Sequence, residues 1–411
     1  MVNQIKKIAE EIEPELIKIR QILHAHPETS MAEFETHNII LGQLKKIAGL
    51  EIQAHAAGGT GVIAILHGEG GSGKTALLRA DIDALPMPDR QSGQQKRLHA
   101  CGHDGHTAWL IGAAMILSRI RENLKGTVKF VFQPGEEVGK GADLLVEVDK
   151  VLENPTVDGA FAAHGWPSIE AGKIGIPMRY AFGCVGRFQV RILGKGGHGS
   201  WPENVIDPIW IATEIYQKIP AILTRKIKGT ESKVMSVTYL QAGKCGIMNM
   251  IPSVCEFGGT MRTVKREVMQ KMGEELEKTI KAVCEISKAS YESEIRITGN
   301  CVKNHPHLLG LGQGAIGKVI GKDQVFFIDE DNLGGENFSE FSRRVPSLYF
   351  FIGIKPNGIK EASGLHSPDF QFHDGVLKNA AAVFAQIAYD FCSQEEIKKE
   401  NGFSRTVSPQ K

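Results

Sequence analysis

Apolar residues recur every three or four positions at the start of the chain, at Ile5, Ile8, Ile12, Leu16, Ile19 and Leu23. That spacing predicts an amphipathic helix, which Pro14 is expected to kink or divide. Short apolar runs then alternate with helical stretches. Residues 61–66, 76–80, 128–132 and 159–163 read as buried strands, and 107–120 and 142–151 as helices. Strands alternating with helices predict an α/β fold, with a mostly parallel sheet covered by helices on both faces.

The pattern changes near residue 182. Residues 185–193 alternate like a half-buried strand, and 233–241, 254–262 and 291–298 read as strands, with helices over 208–218 and 267–287. The order βαββαβ is that of a ferredoxin-like split-βαβ unit. The α/β pattern then resumes with a helix over 308–320, strands over 325–328 and 348–352, and a closing helix over 374–392. The expected organisation is therefore one discontinuous domain, 1–181 with 300–392, carrying an inserted domain over 182–299. Residues 393–411 read as a polar tail.

Charge narrows the function classes. Lys and Arg number 48 against 47 Asp and Glu, without the basic excess of a nucleic-acid binder. No apolar run approaches the ~20 residues that span a bilayer, and the N-terminal segment has no apolar secretory core. Neither a membrane nor a nucleic-acid partner is expected. The 7 cysteines are odd in number and scattered, which suits reduced thiols in a cytoplasm better than a disulfide framework.

The chemistry gathers where apolar strands end: Asp81-Ile-Asp83, Glu136-Glu137, His164 and His366. A fifth cluster, His99-Ala-Cys101-Gly-His103-Asp104-Gly-His106, precedes the helix expected from residue 107. Open α/β sheets bind ligands outside the carboxyl ends of their strands. Cys101 and His103, two apart across Gly102, can face one ion if the loop is extended; a buried thiol and a capping imidazole would read the same way. Adjacent side chains in extended backbone diverge, so one of Glu136 and Glu137 can bind metal while the other works as a base. Asp83 suits a carboxylate that orients a ligand histidine, or one that caps the turn before Pro86. In the insertion, His198 can stabilise an oxyanion across a cleft. Asn249 and Arg262 flank one strand, and the guanidinium suits either a substrate carboxylate or an internal salt bridge.

Two motifs point elsewhere. Gly68 to Thr75 matches a P-loop pattern, and the strand before Asp329-Glu330 resembles a magnesium-binding acidic strand. A P-loop must open a helix, whereas this run opens strand 76–80 and reads as a hairpin turn. Ser200 lacks the flanking glycines of a nucleophile elbow.

Taken together, the segments LLRADIDALPM, LHACGHDGHTAWLIGAA, FVFQPGEE, AAHGWP, GKGGHGSWP, NMIPSVCEFGGTMRT and GLHSPDF resemble the metallopeptidase family that includes the aminoacylases, in its amidohydrolase branch. They fall between about residue 20 and 390. The resemblance implies metal ligands Cys101, His103, Glu137, His164 and His366, with Glu136 as general base. It implies two divalent metal ions, zinc or manganese, with cobalt or nickel also possible. The implied reaction is hydrolysis of an N-acyl amino acid to a carboxylic acid and a free amino acid. A metallocarboxypeptidase or dipeptidase, or a catalytically silent homologue, is the alternative. The insertion is similar to the family's lid, which also forms a homodimer interface and presents its histidine to a neighbouring site. One departure stands out: where the family usually reads Glu-Asp-Phe, this chain reads Glu336-Asn337-Phe338.

Overall fold

In the computed structural model, residues 1–88, 95–356 and 358–394 are described. The tail expected beyond residue 394 lies outside the described residues.

An eight-stranded sheet organises the larger part of the chain. Its spatial order is Leu50–Ala56, Gly61–His67, Thr127–Gln133, Thr75–Asp81, Gly159–Glu170, Ser347–Lys355, Ile174–Pro177 and Val325–Ile328. The four central strands, from Thr127–Gln133 to Ser347–Lys355, run parallel. Antiparallel pairs flank them on both sides. Thr75–Asp81 and Thr127–Gln133 are buried at every residue, as strands covered on both faces must be. On one face, helices Val2–Ala25, His103–Arg119, Pro306–Ile320 and Leu377–Cys392 contribute to one apolar core. A second core on the sheet includes Leu145, Phe338, Phe341, Tyr349 and Phe351.

The first helix runs from Val2 to Ala25 without division at Pro14, burying the whole predicted apolar stripe. The glycine-rich run 68–74 opens no helix, but it is not a hairpin turn either. Strand Thr127–Gln133 lies between the two strands the run connects. The connection crosses that strand's end so closely that a Cβ on Gly68 would sit 2.1 Å from the Leu124 carbonyl oxygen. Glycine is what lets the backbones pass.

Residues of the expected insertion form a separate antiparallel sheet, ordered Lys233–Ala242, Val254–Thr263, Cys184–Leu193, Ser290–Gly299. Helices Pro208–Ala221 and Arg266–Ile286 share an apolar core with it. Residues in Cys184–Leu193 alternate between buried and more exposed, the period of a sheet with one covered face. Entry and exit run side by side, because Tyr180–Phe182 pairs with Val302–Lys303.

Candidate metal centre

Parallel strands deliver their carboxyl ends to one edge, and the polar clusters meet there. The helix expected from residue 107 begins at His103, so His103, Asp104 and His106 occupy its first turn. Gly102 caps it at φ +85°, and a Cβ on Gly105 would lie 2.2 Å from the Phe372 ring. Strand Gly159–Glu170 runs past its predicted end, which places His164 inside the strand opposite Phe351. Glu136 and Glu137 are not on extended backbone. They sit in a turn closed by the Gly139 N–H on the Glu136 carbonyl, after Gly135 at φ +62°. The divergence expected from pleating is therefore produced by a turn.

Six side chains place ligand atoms together in three overlapping groups. Cys101, His103 and His164 have theirs within 4.8 Å of one another, as do Cys101, Glu137 and His366, and again His103, Glu136 and Glu137. Cys101 Sγ is 3.3 Å from His164 Nε2, and Glu137 Oε1 is 3.3 Å from His366 Nε2 and 4.0 Å from His103 Nε2. Ligands bonded at about 2.0–2.3 Å around one tetrahedral ion stand roughly 3.3–3.8 Å apart. His366 is half-exposed, at φ +61°, and its N–H donates to the Ala100 carbonyl, tying its loop to the Cys101 segment.

The hydrogen bonds behind these atoms orient them. His164 Nδ1 donates to the Gly165 carbonyl, and His103 Nδ1 faces Asp83 Oδ1 at 3.1 Å. Each ring thereby turns Nε2 towards the cluster, with the tautomer set from behind. Asp83 also accepts from the Ser30 hydroxyl at 2.6 Å and the Glu137 N–H at 3.1 Å. It braces two candidate ligands at once, beyond a turn-capping role. His106 belongs to the scaffold. Its Nε2 accepts from the Gly165 N–H, so its Nδ1 donates to Asp81. The close grouping of Asp81, His103 and His106 is thus a hydrogen-bond network rather than a further ion site.

The donor set fits a cation. His103 Nε2 is buried and makes no hydrogen bond, a state polar groups rarely keep unless something else binds them, and the buried Glu137 Oε1 meets His366 Nε2 at ion-pair distance. The local field points the same way. Burial opposes charge on His103, yet Asp81, then Cys101 and the Asp83 hydrogen bond, outweigh it and hold its pKa well above the usual value. Burial pulls the His164 pKa down to about 4 and pushes the Cys101 thiol well up. Burial, with the Glu336 and Glu137 charges, keeps Glu136 well above the usual carboxylate range. Positive charge at the centre would relieve the acidic crowding and favour the thiolate.

His198, Asn249 and Arg262 have other partners among the described residues. His198 is exposed, contacts Trp201 and accepts from the Ser200 N–H. Its strand Gly197–His198 pairs with Met250–Ile251, and Asn249 accepts from the Gly199 N–H. Arg262 lines a cavity of about 500 Å³ with Arg187, Tyr239, Thr260 and Arg296. Its guanidinium donates to the Thr260 hydroxyl and the Met261 carbonyl. Among the described residues it forms no salt bridge.

Arg79, Glu33 and Glu336 escaped the reading of the sequence. Arg79 is 1% exposed and lies mid-strand in an apolar run. A charged residue there is rarely buried without partners, and that was the available signal. Glu33 accepts from the Gly135 and Met31 N–H groups and the Thr60 hydroxyl, holding the loop that carries Glu136.

Residues 77–390 match peptidase family M20/M25/M40. N-acetylcysteine deacetylase of Bacillus subtilis is 35% identical over 381 residues, 91% of this chain and 96% of that relative. Thermostable carboxypeptidase 2 of Saccharolobus solfataricus is 31% identical, covering 96% of this chain and 100% of its own. The crystal structure of a Bacillus subtilis dinuclear metal binding peptidase from the M20 family superposes with a TM-score of 0.76 at 32% identity, covering 92% of this chain and 98% of that one. No described helix is long and apolar enough to cross a membrane.

Proposed function

The chain belongs to peptidase family M20/M25/M40, and on that premise we propose that it is a binuclear metal-dependent amidohydrolase acting on N-acyl amino acids. The observation that carries this reading is the buried His103 Nε2, which makes no hydrogen bond, converging with Cys101, Glu137, His164 and His366 beside a further carboxylate, Glu136. A deacetylase of N-acetylcysteine and a carboxypeptidase are both similar to this chain. Both names imply an amide whose leaving amine is an amino acid with a free carboxylate. Arg262, without a carboxylate partner among the described residues, suits that group; Asn249 is assigned to the same substrate-binding role.

Cys101, His103, Glu137, His164 and His366 would hold two divalent ions. The sulfur and imidazole donors favour zinc, with manganese, cobalt or nickel as alternatives. Bound there, such ions supply Lewis acidity, polarising the acyl carbonyl and lowering the pKa of the attacking water. Glu136 takes the proton from that water and hands it to the leaving amine. Asp83 keeps His103 and Glu137 in register throughout. Among the described residues, the contacts of His198 are with Ser200, Trp201 and Met250 rather than with the cluster. We assign its role as oxyanion donor to a homodimer, as the family resemblance implies, with residues 182–299 as lid and dimer interface and the enzyme working in the cytoplasm.

The test is a hydrolysis screen of N-acetyl, N-benzoyl and indole-acetyl amino acids and of short peptides, with manganese, zinc or cobalt. The expected result is release of a free amino acid from the N-acyl series. Glu136→Gln should retain bound metal and lose about 10²–10⁴-fold in kcat, the usual contribution of a general base. Unchanged turnover in that variant removes Glu136 from its role; peptide-only hydrolysis moves the assignment to a carboxypeptidase or dipeptidase.

A further inference from the structure

We propose that the buried Arg79–Glu336 ion pair is a positioning device for Glu136, acting through the main chain of Asn337; this rests on the reading of Glu136 as the general base. Arg79 projects from the central strand Thr75–Asp81 and is 1% exposed. Its guanidinium makes four hydrogen bonds: Nε to Gln133 Oε1 at 3.0 Å, one terminal nitrogen to Asp81 at 2.8 Å and Glu336 Oε2 at 3.2 Å, and the other to Glu336 Oε1 at 2.9 Å. The Glu336 carboxylate is saturated as well. It also accepts from the Tyr349 hydroxyl at 2.6 Å and from the Phe338 N–H at 2.8 Å.

These bonds fix the turn 336–338 from both sides. Glu336 grips Phe338 two residues on, while the Asn337 side chain is gripped by Gln133 and the Ala142 N–H. Between those anchors, the Asn337 N–H donates to Glu136 Oε1 at 3.1 Å. One oxygen of the base is thereby held by backbone, and the other is directed by the carboxyl plane. A buried ion pair adds little net stability over an apolar pair of the same shape. The geometry it imposes on Glu136 accounts for its place beside the cluster. Arg79 and Glu336 need touch neither substrate nor metal for this.

Glu336→Gln keeps the size of the side chain and breaks the charge pairing. The expected result is a fall in kcat of about 10–100-fold, the range for removing a partner that orients a functional group. KM and metal content should stay at the wild-type value. In a Glu136→Gln background the same substitution should cost nothing further, because the group it positions is already gone. A crystal structure of the variant should show the Asn337 nitrogen out of hydrogen-bond reach of Glu136. Should Glu336→Gln fail to fold, Tyr349→Phe removes one of the same four donors, with an expected kcat loss of about 5-fold, one hydrogen bond's worth. Wild-type kcat in the variants that fold, an equal loss in the Glu136→Gln background, or a loss confined to KM or metal content overturns the proposal. If Glu136→Gln is itself silent, the proposed function falls and takes this inference with it. If Glu136→Gln is inactive and Glu336→Gln is not, only the positioning role falls.

Discussion

Asn337 stands where a carboxylate is usual in the family that the sequence resembles, and its surroundings explain how a neutral group serves. Its Oδ1 accepts from Gln133 Nε2 at 2.7 Å and from the Ala142 N–H at 2.9 Å. The orientation is forced. Arg79 has only donors, so its Nε must meet Gln133 Oε1, which turns the Gln133 amide nitrogen towards residue 337. An aspartate would accept the same two bonds while adding a buried charge next to Glu136 and Glu336. The catalytically silent alternative therefore gains nothing from this position. Asn337→Ala should strand two buried donors and cost about 1–3 kcal/mol in urea unfolding, whereas Asn337→Asp keeps both bonds. A loss below about 0.5 kcal/mol for the alanine variant, less than one ordinary hydrogen bond, would contradict this assignment. The ligand-type residues were legible in the sequence because Cys101, His103, Glu136, Glu137, His164 and His366 sit in short polar clusters between apolar runs. Arg79 and Glu336 were not, because their meaning lies in a pairing across 257 positions.

The helix His103–Arg119 shows what periodicity can and cannot reveal. Its apolar stretch was readable from residue 107. Its first turn is made of His, Asp and Gly and carries no apolar repeat, so the sequence placed these residues in a preceding loop. The difference matters chemically, since the candidate ligand His103 stands on a rigid first turn. That turn is seated by Phe372, whose ring occupies the space a Cβ on Gly105 would need. Gly105→Ala must displace the ring or the turn. The expected cost is about 1–3 kcal/mol, typical of overpacking a filled core, together with weaker metal retention under a chelator titration. Unaltered stability and retention would show that the ring moves freely and seats nothing. The Glu136-Glu137 turn was hidden for a related reason: Pro134-Gly135 signals a turn, but not which way the two carboxylates will face.

At the scale of the whole molecule, the mostly parallel α/β sheet was readable from the alternation of strands and helices, and a separate antiparallel sheet from the change of period near residue 182. Strand order was not. Nothing local in the sequence places Thr127–Gln133 between Gly61–His67 and Thr75–Asp81, because that is decided by burial of all three together. If His198 works on a neighbouring copy, two inactive variants, His198→Ala and Glu136→Gln, should regain activity when unfolded and refolded together, since mixed dimers then contain one complete site. No recovery, with mixed dimers verified by mass spectrometry, would confine any role of His198 to its own subunit. The convergence of Cys101, His103, Glu137, His164 and His366 from distant parts of the chain remains the claim on which the function depends. Anomalous X-ray diffraction from crystals grown with zinc tests it most directly. The account predicts two peaks about 3.5–4 Å apart, with Cys101 Sγ about 2.3 Å from one of them and the other four side chains completing the pair. A single peak elsewhere on the surface, or none at this cluster, would contradict it.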